Sequence, residues 1–238
     1  SATTKIQSIT LGNESLKPFL YKGSVRALYG VDLKKSAGLY KLTVTLTDGT
    51  TITKDVQVEA REKIETPFTI PEKLGGNTVE SQKTLVSTLE KENQTLLNLR
   101  TGLKAFWTVP FRYPLLNPIV TDDYGYTRST GAYPIAHKGT DLRAVSGTKV
   151  IAMNRGVVRV AKTYRNYGQT VVIDHGLGVM TFYMHLSKIY VKEGTLVTQW
   201  QTIGLSGMTG YAESPHLHLT VRINDISIDP VKFIELFK

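Results

Sequence analysis

Four of the five histidines in this 238-residue chain stand in patterns that could bind a metal ion, and all five lie between positions 137 and 218. The first pattern is His137-x-x-x-Asp141, whose spacing of four puts an imidazole and a carboxylate on one side of an extended or turned segment. Both groups are suitable zinc ligands. A single His-x-x-x-Asp pattern occurs often by chance, so this pattern predicts little by itself.

The second pattern is a pair of histidines, His216 and His218, that follows Pro215 and alternates with Leu217 and Leu219. On a strand, both imidazoles point to one face while the leucines enter the core from the other. A buried histidine needs a hydrogen-bond partner for each ring nitrogen, so core packing seldom explains such a pair. The pattern therefore favours two imidazoles that face a cleft.

The two remaining histidines each stand at the end of a β-forming run. His185, in Tyr183-x-His185-Leu186, would more often be structural if it stood alone, but the other two patterns make it a candidate for chemistry. His175 precedes a glycine turn at Gly176, and we expect it to hold that turn or pack nearby without binding metal.

Other types of catalytic site have little support in the sequence. The chain has no cysteine, which excludes disulfides, thiol nucleophiles and cysteine-based zinc sites. It also lacks the Gly-x-Ser-x-Gly elbow, the His-Glu-x-x-His helix and the glycine-rich phosphate-binding motifs. Glycosidase chemistry by two carboxylates stays open, although no particular pair of acids stands out.

The elements that would position these side chains begin with β structure in the first 65 residues. Residues 41–46 alternate apolar and polar side chains, and an Asp48-Gly49 turn leads into a returning strand. Tyr40 precedes this hairpin much as a corner tyrosine does in Ig-like sandwiches. We therefore predict a small N-terminal β-sandwich over residues 1–65.

A connector over residues 66–114 follows, with an amphipathic helix at about 78–102 that packs on a neighbouring element. Asn77 and Glu80 have the spacing of a capping box at its start. Residues 115–238 contain many short β runs separated by glycine. This pattern predicts an antiparallel, barrel-like β domain and, for the chain as a whole, a mainly all-β fold.

Composition is that of an ordinary soluble globular protein, with 41% hydrophobic and 21% charged residues. The net charge of +9 is compatible with an anionic partner such as a cell-wall polymer, a nucleic acid or a lipid surface, and equally with a generally basic surface. No apolar run approaches the roughly 18 to 20 residues that cross a bilayer. Because residue 1 is Ser1, we expect that a leader has been removed and that the protein acts outside the cytoplasm.

The order of the three histidine patterns resembles that of the lysostaphin/LytM-type zinc endopeptidases, which cut peptide cross-links in bacterial peptidoglycan. The resemblance covers about residues 115–238, and residues 1–65 resemble an Ig-like domain found ahead of this catalytic domain in some exported members. The resemblance implies one zinc ion per chain, peptidoglycan peptides as the substrate, no nucleic-acid partner and a periplasmic or secreted location. It also implies roles for five side chains: zinc ligation by His137, Asp141 and His218, and catalysis by the unligated imidazoles of His185 and His216.

The chain departs from the family pattern at three positions. Members commonly have Gly where this chain has Ser214, and often have Glu where it has Thr220. Some relatives place a tyrosine that helps to bind the oxyanion where this chain has Gly131, and nearby Tyr133 is our candidate for that role. Neither Ser214 nor Thr220 is at a ligand position, so these two departures bear on substrate fit more than on activity.

Several alternatives stay open at this point. The chain could be a noncatalytic protein that binds the cell wall or regulates an amidase, although such proteins have lost ligand residues and this chain has lost none. Residues 191–207 resemble the β repeats of biotinyl and lipoyl carriers, but the Met-Lys-Met of a carrier is missing. Neither the bond that is cut, glycyl-glycine or D-alanyl, nor the role of the N-terminal domain, docking or limiting access, follows from the sequence.

Overall fold

The computed structural model describes residues 5–130 and 133–237, which form two compact units, Ser1–Glu62 and Lys63–Lys238. Strands make up 43% of the chain and helices 11%, so the prediction of a mainly β protein is confirmed. The three-segment division at residues 65 and 114 stays a prediction. None of the helices in the described ranges is long and apolar enough to span a membrane.

The first unit contains a four-stranded antiparallel sheet and a separate two-stranded hairpin. The strands of this unit are β1 (Ile6–Leu11), β2 (Glu14–Leu16), β3 (Phe19–Tyr21), β4 (Ser24–Arg26), β5 (Gly38–Leu46) and β6 (Thr51–Val58). The four-stranded sheet has the order β2-β1-β5-β6, and β3 pairs only with β4 in the part of the chain that is described.

The hairpin of β5 and β6 is the one that the sequence predicts. Its turn is closed by the Asp48 carboxylate, which accepts a hydrogen bond from the Thr50 N–H at 2.9 Å, and Gly49 takes a φ of +86°. The Tyr40 hydroxyl donates to the Ser36 carbonyl, four residues upstream, at 2.9 Å. This is the hydrogen bond of a corner tyrosine, but the Ig-like assignment of this unit stays a prediction.

The second unit contains three sheets built from fourteen short strands. They are β7 (Glu65–Pro67), β8 (Val120–Asp122), β9 (Thr127–Thr130), β10 (Tyr133–Ala136), β11 (Thr140–Arg143), β12 (Lys149–Ile151), β13 (Gly156–Tyr164), β14 (Gly168–Gly176), β15 (Val179–Leu186), β16 (Lys188–Ile189), β17 (Leu196–Val197), β18 (Thr202–Leu205), β19 (His216–Ile223) and β20 (Ile226–Ile228). The largest sheet has the order β17-β13-β14-β15-β19-β11-β8, with β20 added to β19. The described residues also form two three-stranded sheets, with the orders β10-β9-β7 and β12-β18-β16.

The sheets of this unit are open, so the barrel-like part of the prediction is wrong. The large sheet ends in β17 and β8, which are two and three residues long and do not neighbour each other. The antiparallel part of the prediction holds for every described strand pair of this large sheet, while β7 and β9 pair in parallel. Run lengths in a sequence reveal strands but not their spatial order, which is why closure could not be predicted.

The predicted helix is present as α1 (Val79–Thr95); it begins close to the predicted position, but its capping residue and its C-terminal end differ from the prediction. Its N-cap is Thr78, whose hydroxyl accepts from the Ser81 N–H at 3.1 Å, so Asn77 is not the cap. The Asn77 side chain instead accepts from the Ile70 N–H at 2.7 Å. The helix ends at Thr95 because the chain soon turns at Asn98, which has a φ of +54°.

The connector residues belong to the core of the second unit. Ile70 and Leu85 are buried against Tyr211, and Leu96 is buried in a cluster with Val172 and Phe182. The C-terminal helix α2 (Pro230–Glu235) adds to a separate aromatic cluster through Phe233. Residues 63–102 are therefore part of the framework that holds the sheet bearing the histidines.

His175 on β14 is structural, as the sequence predicts for it. It is fully buried, its Nδ1 donates to the Arg155 carbonyl at 2.8 Å, and its Nε2 lies 2.8 Å from the Thr181 hydroxyl. The ring also packs edge-on against Phe111, with centroids 5.0 Å apart. Burial lowers the pKa of His175 to about 4, so the ring is neutral at pH 7.

This burial predicts a specific acid sensitivity. The unfolded chain protonates His175 near pH 6.5 and the folded protein only near pH 4, so the free energy of unfolding falls as the pH drops through this window. The full loss from this group is about 3 kcal/mol. Denaturant unfolding between pH 7 and 4 should show a shallower pH slope for His175→Gln, and a ring NMR titration of His175 with a midpoint above pH 6 would contradict the account.

Candidate metal centre

Three adjacent strands of the large sheet bring the candidate side chains together. β19 carries His216 and His218, β11 beside it carries Asp141, and β15 on the other side carries His185. Asp141 pairs directly with His218 in the β11–β19 register, so their side chains share one face. His137 lies between β10 and β11 and completes the group.

Three donor atoms form a compact triangle at this place. The Nδ1 atom of His218 lies 2.7 Å from Oδ1 of Asp141 and 3.1 Å from Nε2 of His137, and the third side of the triangle is 3.2 Å. Ligands of a tetrahedral zinc ion with bonds of 2.0–2.1 Å stand roughly 3.3 Å apart. Two imidazole nitrogens and one carboxylate oxygen in this arrangement therefore fit zinc. Among the described residues, His137, Asp141 and His218 are the group of side chains that could hold a metal ion.

Each imidazole of the triangle uses its other nitrogen to bind the protein. The Nδ1 of His137 donates to the Asp123 carbonyl at 2.8 Å, which leaves Nε2 with its lone pair. The Nε2 of His218 lies 3.0 Å from the Thr220 hydroxyl, and that hydroxyl donates to the Lys138 carbonyl at 3.0 Å. Such partners fix the tautomer and the orientation of a metal-binding histidine.

The second carboxylate oxygen of Asp141 is paired with Arg128 on β9. The same guanidinium binds Asp122, with its Nε 3.0 Å from Oδ2 of that residue. Burial alone would raise the pKa of Asp141, but the neighbouring side chains of His137 and His218 lower it well below its usual range. Asp141 is therefore ionised at neutral pH, with one oxygen directed to the triangle and the other held by Arg128.

His216 faces the triangle without belonging to it. Its Nδ1 donates to the Ser214 carbonyl at 2.8 Å, and its Nε2 lies 3.7 Å from Oδ1 of Asp141. That Nε2 is buried and has no hydrogen-bond partner in the described part of the chain. A buried nitrogen of this kind is suited to bind a ligand that enters the site.

His185 reaches the same face because of an irregularity in β15. The register of β14 against β15 shifts between Gln169 and Val171, so Met184 and His185 stand opposite a single residue of β14, which is a β-bulge. Met184 pairs with His218 and shares its face, so regular alternation would turn His185 away. A φ of +61° at His185 reverses this, and its ring centroid lies 6.0 Å from that of His218.

The imidazoles of His185 and His218 are both neutral at pH 7. Burial lowers the pKa of His185 to about 3, with further contributions from His216 and His218, and burial lowers that of His218 to about 4. The Nδ1 of His185 donates to the Thr209 carbonyl at 2.8 Å, and its ring centroid is 4.9 Å from that of His216. Two imidazoles outside the triangle therefore stand beside it with an Nε2 atom available for chemistry.

The structure brings together the five residues that the sequence singles out, and His175 lies apart from them with both ring nitrogens bonded. Tyr133 lies on β10, half-buried and four residues before His137, and its role stays a prediction. Gly131 lies outside the described residues. Sequence reasoning missed Arg128 and Asp123, since neither stands in a recognisable motif and each reaches the site only through the pairing of β9 and the turn before it.

Comparisons with known proteins agree with this site. Residues 135–230 match the sequence profile of Peptidase family M23. The peptidoglycan DD-endopeptidase ShyA of Vibrio cholerae is 43% identical over 96 residues, which is 40% of this chain and 22% of that protein. The DD-carboxypeptidase/endopeptidase Mpg of Neisseria meningitidis is 37% identical over 123 residues, which is 50% of this chain and 27% of that protein.

The chain thus spans about a quarter of the length of these curated relatives. Among solved structures, a candidate M23 peptidase from Pseudomonas aeruginosa matches with a TM-score of 0.67 and 24% identity over 98% of this chain and 89% of its own, which shows the fold. The resemblance stated on the histidine patterns is confirmed by the family match. The C-terminal part of the chain therefore carries a peptidase family M23 domain of the LytM/lysostaphin type, at residues 135–230.

Proposed function

We propose that this protein is a zinc-dependent endopeptidase that hydrolyses peptide cross-links of bacterial peptidoglycan. The observation that carries the proposal is the triangle of His137, Asp141 and His218 with the free Nε2 atom of His216 beside it. Three protein ligands are typical of catalytic zinc sites, in which the fourth position is open to water, whereas structural sites use four.

Zinc bound at the triangle would lower the pKa of a water molecule and polarise the carbonyl of the scissile bond. His185 and His216 would share the remaining tasks at their Nε2 atoms. One neutral imidazole accepts a proton from the attacking water, and the other, in the form protonated on both ring nitrogens, donates a hydrogen bond to the carbonyl oxygen as negative charge develops there. Arg128 keeps the second oxygen of Asp141 engaged, so that this carboxylate presents one oxygen to the metal. Tyr133 is our candidate for a further contact to the substrate.

The names of the relatives support a D-alanyl cross-link as the bond that is cut. Both relatives described above are DD-endopeptidases by name, and the family match at residues 135–230 includes the whole triangle. Peptidoglycan lies outside the cytoplasm, so we propose a periplasmic or secreted location. A noncatalytic regulator is not favoured, because such proteins have lost ligand residues and this chain keeps all three, His137, Asp141 and His218.

The first unit is proposed to dock on the wall or to limit access to the site. A truncated variant that tests these roles must keep the chain from about Lys63 onward, since Ile70, Leu85 and Leu96 belong to the core of the second unit. Removal of residues up to 102 would open that core and confuse misfolding with a change in activity.

Replacing a ligand should remove both metal and activity. We expect His218→Ala to bind less than a tenth of the one zinc per chain found for the unchanged protein, and to lose cleavage of defined muropeptides, because two donors hold zinc far more weakly than three. Metal analysis and mass spectrometry of the digests measure the two effects. Lys149→Ala serves as the control, since it changes an exposed side chain away from the triangle, and full cleavage by His218→Ala would refute the proposal.

Replacing an unligated imidazole should separate catalysis from metal binding. We expect His185→Ala and His216→Ala to retain about one zinc per chain while kcat falls by roughly 10²- to 10⁴-fold, the usual contribution of a positioned proton-transfer group. Steady-state kinetics on a soluble muropeptide, together with zinc analysis of the same samples, provides the measurement. Loss of zinc from His216→Ala would assign that residue to the ligands and overturn its catalytic role.

The Thr220 hydroxyl should tune zinc affinity. Thr220→Val keeps the shape of the side chain but removes the partner of His218 Nε2, so we expect zinc affinity to fall by about 10- to 100-fold. Thr220→Ser retains the hydroxyl and should restore most of the affinity. Competition with a chromogenic chelator measures the zinc affinity of both variants. Equal zinc affinities of Thr220→Val and Thr220→Ser would show that the hydroxyl has no such role.

A further inference from the structure

The backbone and the ring of His185 are each hydrogen-bonded to a neighbouring loop. Its N–H donates to the Tyr167 carbonyl at 2.9 Å, and its Nδ1 donates to the Thr209 carbonyl at 2.8 Å. A residue other than glycine with a φ near +61° is strained, and it keeps this conformation only where its surroundings enforce it. The position of the His185 ring therefore depends on the positions of these two carbonyl groups.

The two loops, residues 165–168 and 207–211, are locked to each other. The Gln169 N–H donates to the Thr209 hydroxyl at 2.9 Å, and the Tyr211 N–H donates to the Asn166 carbonyl at 2.8 Å. The approach is so close that a Cβ atom on Gly168 would lie 2.2 Å from the Thr209 hydroxyl. A shift of the first loop therefore displaces the second, and with it the carbonyl that orients the His185 ring.

Helix α1 holds the first loop mainly through the carboxylate of Glu92, beside contacts from Thr88 and Asn93. One oxygen of Glu92 accepts from the N–H groups of Arg165 and Asn166 at 2.6 and 3.1 Å, and the other accepts from the Asn166 N–H and side-chain amide at 3.1 and 2.9 Å. The Thr88 hydroxyl, one helical turn earlier, lies 3.1 Å from the Asn166 side-chain oxygen. Asn166 is 2% exposed, so loss of the carboxylate would strand buried donors and move the loop.

We propose that Glu92 is a positioning residue for the His185 imidazole, acting through the 165–168 loop and the Thr209 carbonyl. This inference rests on the proposed function, in which His185 takes part in proton transfer. It assigns a catalytic contribution to α1, which lies outside residues 135–230 and carries none of the histidine patterns. Glu92 touches neither the metal triangle nor His185 directly, so its effect should appear in the rate of the chemical step rather than in zinc binding.

The test compares Glu92→Gln with Glu90→Gln in the full-length, zinc-loaded protein. Both variants remove one carboxylate from α1, but Glu90 is exposed and serves as the matched control. Glutamine can offer one acceptor oxygen where Glu92 offers two, and its amide faces the Asn166 amide as a second donor. For Glu92→Gln we expect faster amide hydrogen exchange at Arg165 and Asn166, shifted ring NMR signals of His185 and an unchanged zinc content.

On a soluble muropeptide, Glu92→Gln should lower kcat by roughly 10- to 100-fold with KM within about twofold, as expected when a catalytic group is displaced. If Glu92→Gln does not fold, the milder Glu92→Asp carries the test with the same signs. Faster exchange at Arg165 with unchanged His185 signals and unchanged kcat would overturn the inference. If the unchanged protein cleaves nothing, the proposed function fails by itself, and the His185 ring signals still decide whether Glu92 positions that side chain.

Discussion

The site depends on one constraint: side chains alternate between the two faces of β19, and β19 is paired in a fixed register with its two neighbouring strands. β19 places His216 and His218 on one face because successive side chains of a strand point in opposite directions. Leu217 and Leu219, which alternate with them, are buried on the other face. The register with β11 sets Asp141 opposite His218. The metal triangle is thus a consequence of strand pairing, and only His137 is supplied from outside the sheet.

The position of the His185 imidazole requires the opposite, a break in the alternation. His185 would point away from His218 in a regular strand, and the bulge with its positive φ turns the ring to the metal-binding face. This geometry has an energetic cost, which contacts from residues far along the chain must offset. The site therefore combines a pre-formed ligand set on regular strands with one side chain whose position depends on two loops and a helix.

These two origins explain how much could be predicted from the sequence. The spacing of His216 and His218 gives their common face, and the family pattern supplies the remaining ligand assignments, but no local signal reports a bulge at His185. The predicted cap and C-terminal end of α1 are wrong. Thr78 rather than Asn77 caps the helix, and Leu96 packs into the core beyond its last residue. Arg128 could not be found, since its contact with Asp141 arises from the folding of two separated strands.

The central claim is that two imidazoles and one carboxylate bind a single zinc ion and leave one position to solvent. X-ray absorption at the zinc edge, combined with a crystal structure that uses the anomalous signal of zinc, tests it most directly. The account predicts one zinc ion, within about 2.0–2.2 Å of His137 Nε2, His218 Nδ1 and an Asp141 oxygen, with a water molecule as the fourth ligand. A permanent fourth ligand from the protein, or zinc bound elsewhere in the chain, would contradict it.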